Sequence, residues 1–120
     1  MDSLESGKRM YIMAKHEFGI LQETPKPGVR YDVYAPEKYG CISVDDDLIE
    51  PMNRKLDTEM YWHTVDRTGK GFAYCGVTLI PPEAMDGMIG AMGDTEEIAP
   101  LRELLMEAKQ QDKFVIHYGL

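Results

Sequence analysis

Few side chains in this chain can do chemistry: His16, His63 and His117, Cys41 and Cys75, and the acidic run Asp45-Asp46-Asp47. A thiol becomes a nucleophile when an imidazole takes its proton and a carboxylate orients that imidazole; here Cys75, His63 and Asp66 would fill those roles. A reactive thiolate needs nearby positive charge and access to solvent. Tyr74-Cys75-Gly76-Val77 reads instead as an apolar strand, and Cys41 heads another, so both cysteines are expected as buried, reduced thiols. Cys41, His63, Cys75 and His117 are also suitable zinc donors, but no two are close in sequence, and close pairs are what bring ligands into one tetrahedron. His16 and Glu17 are neighbours on an expected strand, face opposite ways, and read as an exposed polar strand end.

Asp45 and Asp47 could hold a magnesium or calcium ion, since hard cations prefer carboxylate oxygens. The run lacks the glycine bend and the distant Glu of a calcium loop, and one carboxylate is needed as a helix cap, so capping and solvation are favoured. No cofactor is expected. Thr68-Gly69-Lys70-Gly71 lacks the spacing of a phosphate-binding loop and leads into a strand, and Gly69 to Tyr74 lacks the third glycine of a dinucleotide fingerprint.

Two stretches have the composition of recognition surfaces. Between Thr24 and Gly40, Pro25, Pro27 and Pro36 stiffen a segment carrying Tyr31, Tyr34 and Tyr39, and Trp62 could extend that surface. From Pro82 to Gly93, Met85, Met88, Ile89 and Met92 form a helical stripe interrupted by Gly87 and Gly90, each costing about 1 kcal/mol relative to alanine. Such a helix either crosses a neighbour tightly in the core or offers Met85 and Met88 to a partner.

The elements that must position these groups follow from periodicity. Met10 to Lys15, Val29 to Tyr34, Cys41 to Val44, Glu59 to Val65, Phe72 to Ile80 and Phe114 to Tyr118 read as strands, with Glu59–Val65 and Phe72–Ile80 an antiparallel hairpin that could set His63 opposite Cys75. Helices are expected over residues 48-57, with Asp47 and Glu50 as a capping box and Pro51 tolerable only near the first turn, over 82-93, and from Pro100 through Ala108. The sum is an α+β fold: a mostly antiparallel sheet of about five strands with three helices on one face.

Length and charge bound the rest. A chain of 120 residues with 43% hydrophobic and 28% charged residues is one ordinary domain, with residues 1-9 a polar flexible lead, Met10 a second possible start, and residues 10-120 the fold. A net charge of −8, spread over both halves, leaves no cationic stripe for phosphate backbones and disfavours anionic membrane surfaces, so no nucleic acid and no membrane is expected as a partner. Apolar windows are too short to span a bilayer, and Lys15, His16 and Glu17 interrupt the signal-like run after Lys8-Arg9.

Tyr11-Ile12-Met13-Ala14-Lys15-His16-Glu17-Phe18-Gly19-Ile20, Cys41-Ile42-Ser43-Val44-Asp45-Asp46-Asp47, Tyr61-Trp62-His63-Thr64 and Ala73-Tyr74-Cys75-Gly76-Val77-Thr78-Leu79 resemble a small bacterial protein family of unknown function, over about residues 10 to 118. That resemblance implies no activity and no catalytic residue. A short-chain dehydrogenase label, which such sequences sometimes carry, conflicts with the absent glycine fingerprint and the short chain. The resulting expectation is a cytoplasmic, non-catalytic binding or interaction protein, a homodimer, recognising a protein partner or small ligand through Tyr31, Tyr34, Tyr39, Trp62, Met85 and Met88. The alternatives are a small enzyme using His63, Asp66 and Cys75, and a divalent-metal protein using Asp45 and Asp47.

Overall fold

A computed structural model describes residues 14–120. Six strands form one sheet in the order β2-β1-β6-β5-β3-β4, every neighbouring pair antiparallel. They are β1 (Lys15–Ile20), β2 (Ile42–Asp45), β3 (Glu59–Trp62), β4 (Thr68–Lys70), β5 (Val77–Ile80) and β6 (Val115–Tyr118). Three α-helices, α1 (Asp46–Lys55), α2 (Met85–Met92) and α3 (Ala99–Gln110), complete the expected α+β fold. The strand expected over Met10–Lys15 falls mostly outside the described residues; β1 begins at Lys15.

The helices cover one face of the sheet because their apolar stripes meet there. Ile49 and Met52 of α1, Met85 and Met88 of α2, and Leu101, Leu105 and Ala108 of α3 share one buried cluster with Phe18, Val44, Met60, Ile80 and Val115. The opposite face buries Leu21, Val77, Leu79, Ile116 and Tyr118 beneath Tyr31, Tyr39, Tyr61, Val65 and Phe114. A loop rather than a helix therefore closes the second face. Gly19 permits its close approach: a Cβ there would lie 2.7 Å from the Tyr39 carbonyl oxygen and 2.8 Å from Cys41 Sγ.

Several expectations need correction. Val29 to Tyr34 alternates like a strand but forms none, and Val33 and Tyr34 are 78% and 64% exposed. The expected hairpin partners do pair, Tyr61 opposite Leu79, yet β4 lies between them in sequence and adds to the outer edge of β3. α1 begins at Asp46 rather than after Asp47, and Asp45, its N-cap, makes no side-chain cap bond, so the capping box is absent. The earlier start leaves Pro51 inside the helix, where it has no N–H to give the Asp47 carbonyl. Acidic Asp46 and Asp47 in the first turn and Arg54 and Lys55 in the last turn complement the helix dipole instead.

The α2 glycines differ in purpose. A Cβ at Gly87 would meet Thr58 Oγ1 at 2.6 Å, so glycine there lets α2 sit tightly on the chain entering β3. Gly90 faces open space. Gly90→Ala is therefore expected to stabilise the fold by about 1 kcal/mol, raising Tm by about 4 °C, as read by thermal unfolding. Gly87→Ala is expected to lower Tm. Among the described residues no helix is long and apolar enough to cross a membrane.

Candidate functional site

The sheet register gathers two polar constellations. The first is an open cleft on the loop-covered face, lined by Asp32, Tyr34, His63, Cys75, Val77 and Tyr118, with a volume of about 210 Å³. His63 directly follows β3 with φ +67°, a left-handed conformation uncommon for a residue with a side chain. Its backbone is tied on both sides: the His63 N–H donates to the Val77 carbonyl at 2.9 Å, and its carbonyl accepts from the Tyr31 N–H at 2.7 Å. The imidazole Nδ1 lies 2.7 Å from Asp32 Oδ1. A carboxylate only accepts, so Nδ1 carries the proton and, in the neutral ring, Nε2 keeps its lone pair. Arg30, bonded to Asp32 at 2.7 Å, and then His63 hold the Asp32 carboxyl below its ordinary range.

Nε2 rests over Gly76, where a Cβ would stand 2.6 Å away, and the Val77 N–H reaches it at a long 3.4 Å. Cys75 is exposed on the wall of this cleft, without a sulfur–imidazole hydrogen bond to His63. Cysteine burial was thus the wrong expectation. The residues 73–76 form a turn closed by the Gly76 N–H on the Ala73 carbonyl, not the start of a strand, and Cys41 is only half-buried. Burial, then Glu17 and Glu37, push the Cys41 thiol up to about 12, which keeps it protonated. Asp66 does not orient His63 either. It accepts from the Gly28 N–H at 2.7 Å and sits against Thr64, and Asp32 has the place by the imidazole.

The expected binding residues divide. Tyr34 stands at the cleft, its hydroxyl donating to Glu17 and its ring edge-on to Tyr118 at 5.2 Å. The Glu17 hydrogen bond and charge hold the Tyr34 phenol up at about 12. Tyr31 and Tyr39 are half-buried in the second core. Trp62 lies over Gly69 and donates Nε1–H to the Gly71 carbonyl at 3.0 Å, a packing role at the β3–β4 edge. Met85 and Met88 are 0% exposed, so the thioether stripe is core rather than docking surface.

The second constellation is buried on the helix-covered face. Phe18 pairs directly with His117 across β1 and β6, and His117 with Thr78 across β6 and β5, so His16, two residues before Phe18, reaches the same side. His16 and His117 are both 0% exposed, which corrects the reading of His16 as an exposed strand end. His16 Nε2 lies 2.8 Å from Asp46 Oδ1, His16 Nδ1 2.8 Å from His117 Nε2, and His117 Nδ1 3.0 Å from Thr78 Oγ1. Thr78 Oγ1 also accepts the Ala73 N–H at 2.9 Å, and the Tyr74 hydroxyl donates to Asp46.

These contacts have one polarity while both imidazoles are neutral. The Asp46 carboxylate fixes the His16 proton on Nε2; His16 Nδ1 then accepts from His117 Nε2–H, and His117 Nδ1 accepts the Thr78 hydroxyl. Every donor in this relay points toward Asp46, and each of its ring nitrogens and hydroxyls has a partner. Burial, then the neighbouring His16, hold His117 well below its ordinary 6.5.

Asp46 thus turns inward, while Asp45 pairs with Lys15 at 2.9 Å and Asp47 lines a separate depression with Glu97. Among the described residues no group of three or more His, Cys, Asp or Glu is arranged to hold a metal ion, and of Cys41, His63, Cys75 and His117 only His63 and Cys75 line one cleft. A groove of about 840 Å³ between α2 and α3 is larger than the cleft, but its Asp86–Lys109 ion pair, at 2.6 Å, is exposed, and neither an imidazole nor a thiol lines it. Chemistry, not volume, singles out the cleft. The chain matches no protein-family model, no curated protein and no solved structure.

Sequence reasoning missed Asp32, His16 with Asp46, and Tyr118. The one available signal was Arg30-Tyr31-Asp32, whose charges a strand reading assigned to solvent.

Proposed function

We propose that this chain is a binding protein that takes a small, flat, neutral or cationic ligand in the cleft between the Tyr34 segment and the turn at residues 73–76. The observation that carries the reading is His63. Its backbone conformation is uphill for a non-glycine residue, and strain of this kind persists where the surroundings over-determine it, as at binding sites. Its imidazole borders a space that two tyrosine rings also line, with Asp32 and Glu17 close by; that combination suits a neutral or cationic ligand with an aromatic or planar face and disfavours an anion. The same reading places the protein in a reducing compartment such as the cytoplasm, consistent with two free thiols, one of them exposed.

Benzamidine and benzoate, matched in shape and opposite in charge, test it by amide-shift titration. Benzamidine is expected to shift Gly76 and Val77 saturably in the millimolar range, about −4 kcal/mol, and benzoate to do nothing. Gly76→Ala, which puts a methyl group against Nε2, is expected to abolish the shifts. No saturable benzamidine shift, or one that survives Gly76→Ala, rejects the cleft.

A second reading is favoured by the exposure of Cys75 on the same wall: a small enzyme in which Cys75 is the nucleophile, His63 the base and Asp32 its orienting carboxylate. It requires His63 Nε2 to swing from Gly76 to the sulfur. Iodoacetamide labelling of Cys75 that slows about tenfold or more in His63→Ala supports it, and equal rates remove it.

A further inference from the structure

The buried hydrogen bonds form a closed ring. From Asp46 it runs through His16, His117 and Thr78 to the Ala73 N–H; from Asp46 it also runs through the Tyr74 hydroxyl, and the Ala73–Tyr74 peptide joins the two arms. Ala73 and Tyr74 are the first half of the turn whose second half, Cys75 and Gly76, walls the cleft on the other side of the sheet. The ring therefore grips, from the helix-covered face, the segment that shapes the site on the opposite face. Asp46 is its outlet, with a side chain 24% exposed to solvent.

We propose that this ring is a proton-operated latch on the cleft: with both imidazoles neutral it holds the turn in place, and a proton taken up at His16 releases it. The proposal rests on the cleft reading for its consequence, the regulation of ligand binding, but not for the movement itself. The reason is donor and acceptor arithmetic. An added proton makes His16 a donor at both nitrogens, paired with Asp46 on one side. His117 Nε2 must then accept, so His117 moves its own proton to Nδ1 and donates to Thr78. Thr78 Oγ1 now receives hydrogen from both His117 and Ala73 while its own hydroxyl hydrogen has lost its acceptor. A buried donor without an acceptor is unfavourable, and turning the hydroxyl to relieve it competes with the Ala73 N–H, the arm that fixes the turn.

The charged and titratable groups facing the ring support entry at this end. Asp46 and Glu50 come from α1, Tyr74 and Cys75 from the turn, and His16 from β1, while His117 is flanked by the Phe18 and Phe72 rings at 4.9 and 4.5 Å. The carboxylates thus stand at the His16 end, and the His117 end is enclosed by apolar rings, where burial disfavours an imidazolium. Burial and the Asp46 hydrogen bond push the Tyr74 phenol up, so Tyr74 stays a donor throughout.

Nitrogen-15 spectra of the imidazoles and amide spectra between pH 7.5 and 5.5 test the latch. Both His16 and His117 are expected as Nε2–H tautomers at pH 7.5. On acidification the Ala73, Cys75 and Gly76 amides are expected to move with the His16 midpoint, and exchange protection of Ala73 to fall at least tenfold. Thr78→Val keeps both imidazoles and cuts the arm to Ala73; in it His16 still titrates while the turn amides stay where they are. Should that variant fail to fold, Thr78→Ser, which retains the hydroxyl, keeps the wild-type response and Asp46→Asn removes it. Turn amides that are stationary in the wild type while His16 titrates, or that move equally in Thr78→Val, overturn the latch. Turn amides that respond in a protein that never binds benzamidine uphold the latch as a movement and reject the cleft.

Discussion

Met88→Ala is expected to lower the unfolding free energy by about 2–5 kcal/mol, and to do so whether or not any ligand is present. Met88 is fully buried between α2, α3 and the sheet, in one cluster with Met85, Leu101 and Leu105. Truncation removes its transfer free energy and leaves a cavity that tightly packed neighbours close only in part. Urea unfolding of the variant reads the loss as a lower midpoint at unchanged slope. A loss below about 0.5 kcal/mol would mean that the helix stands free of the sheet and that its methionines face outward.

Acidification below pH 6.5 is expected to lower the unfolding free energy through His117. Its folded pKa is depressed below the unfolded 6.5, so below that pH the unfolded chain binds a proton that the folded chain refuses. Stability is fully present above pH 6.5 and falls by about 1.4 kcal/mol for each pH unit as the pH drops from there toward the folded value. Urea unfolding in steps across this window measures the slope. His117→Gln, which cannot ionise, is expected to flatten it while lowering stability at pH 7.5, since the ring loses a member. A wild-type slope no steeper than that of the variant would show that His117 is protonated in the folded state.

Much of the architecture was legible because it is written locally. The spacing of Leu101, Leu105 and Ala108 marks α3, and the buried run Val115 to Tyr118 marks a strand, because helix and strand periods express themselves within a few residues. The same locality misled at Val29 to Tyr34. Alternation satisfies the strand period, but a strand also needs a run of backbone pairing along an edge, and this segment is tied to the sheet at the Tyr31 N–H on the His63 carbonyl. The Met stripe was legible as an amphipathic helix and ambiguous as a surface, since periodicity says which residues share a face and nothing about what covers it.

The site was much less legible. His16 and His117 are 101 positions apart, and Asp32 and His63 are 31 apart. His63 was identified, but its partner was sought at Asp66, near in sequence, when the loop over the open sheet face brings Asp32 instead.

The amino-acid sequence by itself determined an α+β fold, its helices, most of its strands and a net charge of −8, since these depend on short-range periodicity and on summed charge. Tertiary structure alone decided which polar groups meet. Strand order sets β6 between β1 and β5, and a register in which Phe18 and Thr78 both oppose His117 brings the imidazoles into one buried ring. The physical reason is that a hydrogen bond needs atoms within about 3 Å, a condition that only the closed sheet and the loop folded over it impose.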